Sequence, residues 1–262
     1  MCYDISFTVN MRQLSDYFPD LIFDSQLNID FGGFDHTQGP GVFGEHPIIY
    51  EHKDDKKLHC KLMEWSVIEF YQKEKPPMVK RNGMLNIRSE RILDDPKSYW
   101  YKIRSKRCLI PLTAIYEHRE VKGWKKKVPY WVRPCDQPII FLPGLYSVAN
   151  LLDKETGELV ETWTFGLITR AANEVMKNIH NSGDNRHRMP LFLTFEMSKE
   201  YVSSNLTDQR YREILNYEMP SESLSYHPVY TIRSAKARPD DKPKNEIWEW
   251  DKLPELGVLN PD

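Results

Sequence analysis

The 262-residue chain contains no run approaching the ~20 apolar residues that span a bilayer, so no membrane segment is expected. Its first residues carry Asp4 and lack the basic and apolar regions of a secretory leader, which points to a cytoplasmic, reducing location. Cysteine is scarce: Cys2, Cys60, Cys108 and Cys135 are scattered, with no C-x-x-C pair and no His/Cys cluster at zinc spacing. The adjacent pair His59-Cys60 does not alter this, so neither a metal nor a cofactor is expected. An excess of either charge is also missing. The 36 Lys and Arg against 38 Asp and Glu leave a net charge of −2, which excludes a polycation that coats nucleic acid and confines any DNA-binding face to a local patch. No internal repeat is visible, nor any regular βαβ alternation.

What is present is a strand-rich chain long enough for one substantial core. Strands are expected at 47–51, 58–67, 107–111, 114–118, 128–132, 138–142, 161–169, 189–194 and 227–232, with the lysine run 125–127 at a turn. A first helix capped by Thr8 is expected through Phe18, and the Gly-rich stretch 30–47 reads as a loop. Asp95-Pro96 signals a helix start, a further helix is expected from Arg170 to Ile179, and two short ones lie around Lys199 and Tyr211–Leu215. The expected fold is α+β: a single domain, 1–238, with a mixed, barrel-like antiparallel β core and peripheral helices. Residues 239–262 form a Pro-rich, charged, loosely held tail.

Cys2 carries distinctive chemistry. Removal of Met1 would put an α-amine, with an ordinary pKa of about 7.7–8.0, and a thiol, at about 8.5, on one residue. Such a pair condenses with aldehydes, the amine giving a Schiff base and the thiol closing on the imine carbon to a thiazolidine. Position alone also fits a small residue at a frayed terminus. Three polar segments stand in apolar surroundings: Leu85-Asn86-Ile87-Arg88-Ser89-Glu90, Arg107-Cys108-Leu109-Ile110-Pro111 running on to Tyr116-Glu117, and Asn173 through Ile179-His180 to Arg188-Met189-Pro190.

Together with Cys2, these segments resemble the SOS response-associated peptidase (SRAP) family, whose members crosslink covalently to abasic sites in single-stranded DNA. Cys2, Asn-x-Arg-x-Glu, Arg-Cys-Leu with Tyr-Glu, and Ile-His with Arg-Met-Pro occur in the family's order, and Trp65-Ser66-Val67-Ile68-Glu69-Phe70-Tyr71 is similar to its Trp-Gly-Leu-x-Pro-x-Trp segment. Two departures stand out. Tyr3-Asp4 replaces the usual Gly-Arg, putting an anion where the family has a cation. Seven residues separate His180 from Arg188, where the family has one, and they make His187 a rival of His180.

The resemblance implies that Cys2 is the nucleophile, that Asn86 orients it or the sugar, that Glu117 shuttles protons, and that His180 serves as an acid. It also implies a DNA-contacting set of Arg88, Arg188 and Thr169 at the backbone, with Trp65 and Tyr71 stacking on bases. Each position has a plainer alternative: a turn for Asn86, a surface carboxylate for Glu117, a helix-end histidine bound to backbone carbonyls for His180, surface ion pairs for the arginines, and core packing for the aromatics. Three functions follow: a monomeric repair sensor, nucleoid-associated when bound, that crosslinks to abasic single-stranded DNA; a cysteine peptidase or autoprocessing hydrolase using Cys2; and a non-catalytic single-strand-binding module.

Overall fold

The computed structural model describes residues 2–25, 27–30, 32–234 and 237–257. The chain opens with β1 (Asp4–Phe7), a 3₁₀ turn, α1 (Leu14–Tyr17), β2 (Ile22–Phe23), β3 (Phe34–Gln38), β4 (Glu45–Glu51) and β5 (Leu58–Trp65). Next come α2 (Met78–Asn82), β6 (Asn86–Arg88), α3 (Glu90–Leu93) and α4 (Tyr99–Lys102). The second half runs β7 (Arg107–Leu112), β8 (Ala114–Arg119), β9 (Val128–Pro134), β10 (Ile140–Leu152) and β11 (Leu159–Ala171). It continues with α5 (Glu174–Ile179), β12 (Arg188–Pro190), α6 (Phe195–Val202), α7 (Asp208–Leu215) and β13 (Leu224–Pro228). No described helix is long and apolar enough to cross a membrane.

Five strands close a barrel. The order β11-β10-β7-β4-β5 is antiparallel, and the ring shuts where β5 meets β11 in parallel, Glu64 opposite Thr164 and Trp65 opposite Phe165. The fold is therefore α+β with a single mixed barrel, as expected, and closure comes from a parallel pair. β4, β7 and the first half of β10 are buried on both sides, so they read as near-continuous apolar runs rather than alternating ones. Ile48, Cys108 and Ile110 join one core cluster, while their neighbours Ile49 and Leu109 join a second that also takes in α1, α6 and α7. β10 and β11 approach so closely that a Cβ on Gly144 would lie 2.7 Å from the Gly166 carbonyl, which only glycine tolerates. A second sheet, β13-β9-β8-β1-β3, carries the N-terminus in its interior.

Several expectations are corrected. The Gly-rich stretch contains β3 and the start of β4. β3 is a polar edge strand held by pairing with β1, Ile5 opposite Thr37, so its sequence lacks a strand's apolar alternation. Asn10 caps the first short helical turn, while Thr8 bonds to Thr113. Ser98, which accepts from the Trp100 amide, begins α4; the Asp95 carboxylate instead takes the Arg91 guanidinium. β11 runs on through Ala171, so α5 starts only at Glu174, capped by Asn173. The segment expected as a loose tail is tied down in its described part. Arg119 donates to the carbonyls of Pro254 and Glu255, Trp250 donates to Val229, and the buried Arg238 holds Asp240 and three backbone carbonyls.

Candidate active site

β1 brings Cys2 to the site. Its register against β8 sets Asp4 opposite Tyr116, so the residues just before Asp4 run alongside Glu117 and His118. β6, pinned in parallel to β11 with Asn86 opposite Leu167, supplies the second anchor. The Asn86 amide Nδ2 donates to the Cys2 carbonyl at 2.9 Å, and its Oδ1 is buried with no hydrogen-bond partner among the described residues. Cys2 itself is fully buried. Burial, and then the carboxylates of Glu117 and Asp4, push its thiol well above the ordinary range, so the sulfur rests protonated.

Glu117 is not a surface carboxylate. It is buried, and its Oε1 lacks a partner among the described residues. An unpaired carboxylate in such a place is costly, so burial raises its pKa and favours the neutral acid, which is able to donate.

His180 follows the last turn of α5. Its Nδ1 lies 2.8 Å from the Arg188 carbonyl, which can only accept, and the proton is therefore assigned to Nδ1. Burial lowers its pKa to about 4, so the ring is neutral at pH 7, and its one proton is engaged by the Arg188 carbonyl. The two groups thus lean opposite ways, the Glu117 carboxyl toward keeping a proton and the His180 imidazole toward the neutral ring. The seven-residue insertion forms a closed loop. The His187 amide donates to the His180 carbonyl at 2.8 Å, and Asn181 grips the backbone of Glu120 through both its amide and its oxygen. His187 ends up exposed at a positive φ of 61°, and His180 faces the cavity.

That cavity, about 410 Å³, is lined by Tyr3, Asp4, Glu117, His118, Lys127, His180, the loop at 182–185 and Arg233. Asp4 is buried in its wall. Its Oδ1 meets His36 Nε2 at 2.8 Å, and Arg233 donates to both of its oxygens at 2.9 and 2.6 Å. Burial alone would raise the Asp4 pKa, but the bonds from His36 and Arg233 outweigh it, and the carboxyl is held below its usual range. The anion that replaces the family's cation is thus neutralised on site. Arg233, whose guanidinium stays 40% exposed, is the functional candidate that sequence reasoning missed. Lys127 of the lysine run also reaches the cavity.

The expected DNA contacts disperse. Arg88 is exposed and donates to Asn185 in the inserted loop. Arg188 is committed, with two bonds to Glu90 at 2.9 and 3.0 Å and one to the Thr169 carbonyl at 2.8 Å. Thr169 is fully buried and donates to the Ile87 carbonyl. Trp65 packs flat against Phe165 in the core, with its indole N–H on the Leu85 carbonyl, so it offers no face to a base. Tyr71 sits in an exposed cluster with Phe70 and Tyr99, outside the residues lining the cavity. Ser66 takes a strained φ of 109° at the position where the resemblance has glycine.

The family model described as SOS response associated peptidase (SRAP) matches residues 1–232, and the chain belongs to this family. It is 30% identical over 149 residues to the abasic site processing protein YobE of Bacillus subtilis, spanning 57% of this chain and 62% of that one. A longer match, 26% identical over 217 residues, links it to the abasic site processing protein YoaM of the same organism, covering 82% of this chain and 88% of YoaM. A crystal structure of a protein from Bacteroides thetaiotaomicron superposes with a TM-score of 0.69 at 25% identity, covering 94% of this chain and 97% of the other.

Proposed function

We propose that the chain processes abasic sites in single-stranded DNA by capturing them covalently through Cys2. Met1 lies outside the described residues, and the reaction requires its removal. The neutral α-amine of Cys2 attacks the C1′ aldehyde of the ring-opened sugar. The carbinolamine then loses water as Glu117 donates a proton to the departing hydroxyl and takes back the proton on nitrogen, leaving a neutral imine. The thiol adds to the imine carbon, its proton passing to the nitrogen, and a thiazolidine forms. One water is released and nothing is oxidised or reduced. Neutral His180 takes up and returns a proton as the sugar ring opens, while Arg233 and Lys127 supply cations for the backbone.

The observation that carries this reading is the buried Glu117 carboxyl, its Oε1 without a partner among the described residues, beside a Cys2 whose backbone Asn86 fixes. A peptidase wants a thiolate, and burial at this site works against one. The test is intact mass, under denaturing conditions, after incubation with an abasic oligonucleotide. The expected adduct equals protein without Met1 plus DNA minus one water, and it is absent in Cys2→Ala. A denaturation-resistant adduct in Cys2→Ala, or none in the wild type, refutes the reading.

A further inference from the structure

We propose that the turn of the β4–β5 hairpin is a divalent transition-metal site of the zinc class, with His52, Asp55 and His59 as its three protein ligands. One ligand atom from each of the three lies within 4.8 Å of the others. The hairpin register explains why. Tyr50 stands opposite His59, so His52, two residues beyond Tyr50, shares a face with His59 as its diagonal neighbour. The two imidazoles lie 4.7 Å apart between ring centroids, and Asp55 reaches both from the turn: His59 Nε2 is 2.9 Å from its Oδ2 and His52 Nδ1 is 3.6 Å from its Oδ1. Ligands about 2.1 Å from a tetrahedral zinc stand about 3.4 Å from one another, a spacing these two distances bracket.

A second, independent observation points the same way. His52 Nδ1 is shut off from solvent and has no hydrogen-bond partner among the described residues, yet it faces the carboxylate and the other imidazole. The turn is also built without help from an ion. His52 and Lys57 pair through the backbone at 2.8 Å, the Lys56 amide donates to the His52 carbonyl, and the Lys57 amide donates to Asp55 Oδ1 at 3.0 Å. Cys60, next to His59, takes no part. It points to the opposite face, is fully buried, and its thiol is pushed up to about 12 by that burial.

Two imidazoles with one carboxylate favour zinc, cobalt, nickel or copper over magnesium or calcium, whose preference is for oxygen. Three protein ligands leave a fourth position for water. Lys53, Lys56 and Lys57 share the turn and weaken attraction for a dication, so binding is expected to be micromolar rather than picomolar. None of the three ligands lines the cavity beside Glu117 and His180.

The experiment titrates the full chain, as Cys135→Ser to remove the exposed thiol, with Co²⁺ and Zn²⁺. The visible d–d absorption of bound cobalt and calorimetry supply the readouts. The expected result is one cobalt per chain, with visible bands but no thiolate charge-transfer band in the near ultraviolet. Zinc should displace the cobalt, and Mg²⁺ should not. His52→Ala and His59→Ala should each weaken binding by at least the about 10- to 100-fold that loss of a mere supporting partner costs. Asp55→Asn, which preserves the turn's shape, guards against loss through misfolding and should weaken binding too. Stoichiometric binding that survives both histidine changes, a thiolate band, or no binding at millimolar metal would overturn the proposal.

Discussion

Arg233 lays its guanidinium on the buried carboxylate of Asp4 through two hydrogen bonds, joining the first residue of β1 to a segment 229 residues later. This pairing settles how an acid stands where the family has a base. The acid binds an arginine from elsewhere, and the cavity keeps a cation at its rim. Asp4 also takes His36 and lies 4.0 Å from His118, so it organises most of the polar wall.

Asp4→Asn should therefore release Arg233. Single-strand affinity is expected to rise, and its salt dependence to steepen by about 0.7, the increment for one phosphate contact. Stability should fall by less than the about 3–5 kcal/mol lost when a fully buried pair is broken, because the arginine is 40% exposed. Arg233→Ala should lose both affinity and slope. Salt titrations of binding and denaturant melts would check this; a slope unchanged in both variants would remove Arg233 from the DNA face.

Glu117→Gln should slow adduct formation by about 10²- to 10⁴-fold, the usual contribution of a positioned acid. The same change should stabilise the protein at neutral pH. Glu117 has a raised pKa in the folded state, so the stability it contributes is full below the unfolded value of about 4.3 and is lost as pH rises through the folded one. The Gln variant should thus match the wild type near pH 4 and exceed it at pH 7–8, each kcal/mol raising Tm by about 2–4 °C. Single-turnover rates and melts across pH provide the check.

The histidines define the acid side. His46 is buried in the core with Nε2 donating to the Pro111 carbonyl at 2.7 Å, and burial lowers its pKa to about 4, as it does for His180. Both contribute stability that is present above about pH 6.5 and is lost as pH falls toward 4. For His46 the loss is on the order of 3 kcal/mol. Acid melts of His46→Gln should show a correspondingly shallower decline. His180→Gln should slow adduct formation or its reversal, and exposed His187→Gln should leave both unchanged; the opposite pattern would place the catalytic histidine beside Arg188.

Arg188→Ala should destabilise the fold without altering the salt slope of DNA binding, because both arms of its guanidinium are already taken by Glu90 and the Thr169 carbonyl. Arg88→Ala, which gives up only Asn185 and stands in solvent, should leave stability within about 0.5 kcal/mol and reduce the slope by about 0.7. Paired melts and salt titrations distinguish the two.

Cys2 stood out in the sequence by its place next to Met1, and Asn86, Glu117 and His180 as polar groups in apolar strands or at a helix end; the fold sets Asn86 and Glu117 near Cys2 and turns His180 toward the cavity that Glu117 lines. Arg233 did not stand out, since an arginine in an irregular segment gains meaning only from the carboxylate it meets in space. Trp65 and Tyr71 looked alike as text. Packing put one in the core and the other in solvent, and no local pattern separates a tryptophan that stacks on Phe165 from one awaiting a base. β3 was hidden for the same reason: its residues are polar and Gly-flanked, and only pairing with β1 makes them a strand.

The parallel closure of the barrel also sets a clock on the nascent chain. β5 waits for β11, and at about 5–20 residues per second Thr164 leaves the ribosome several seconds after Glu64. Until then the ring is an open ribbon with an uncovered edge, prone to the wrong partners, and its closure carries the entropic burden of distant pairing. β1 finds β3 and β8 earlier, but Asn86 cannot take its place before β11 exists, so the bond that fixes the Cys2 carbonyl is among the last to form. The site is therefore finished only when the last barrel strand is in place.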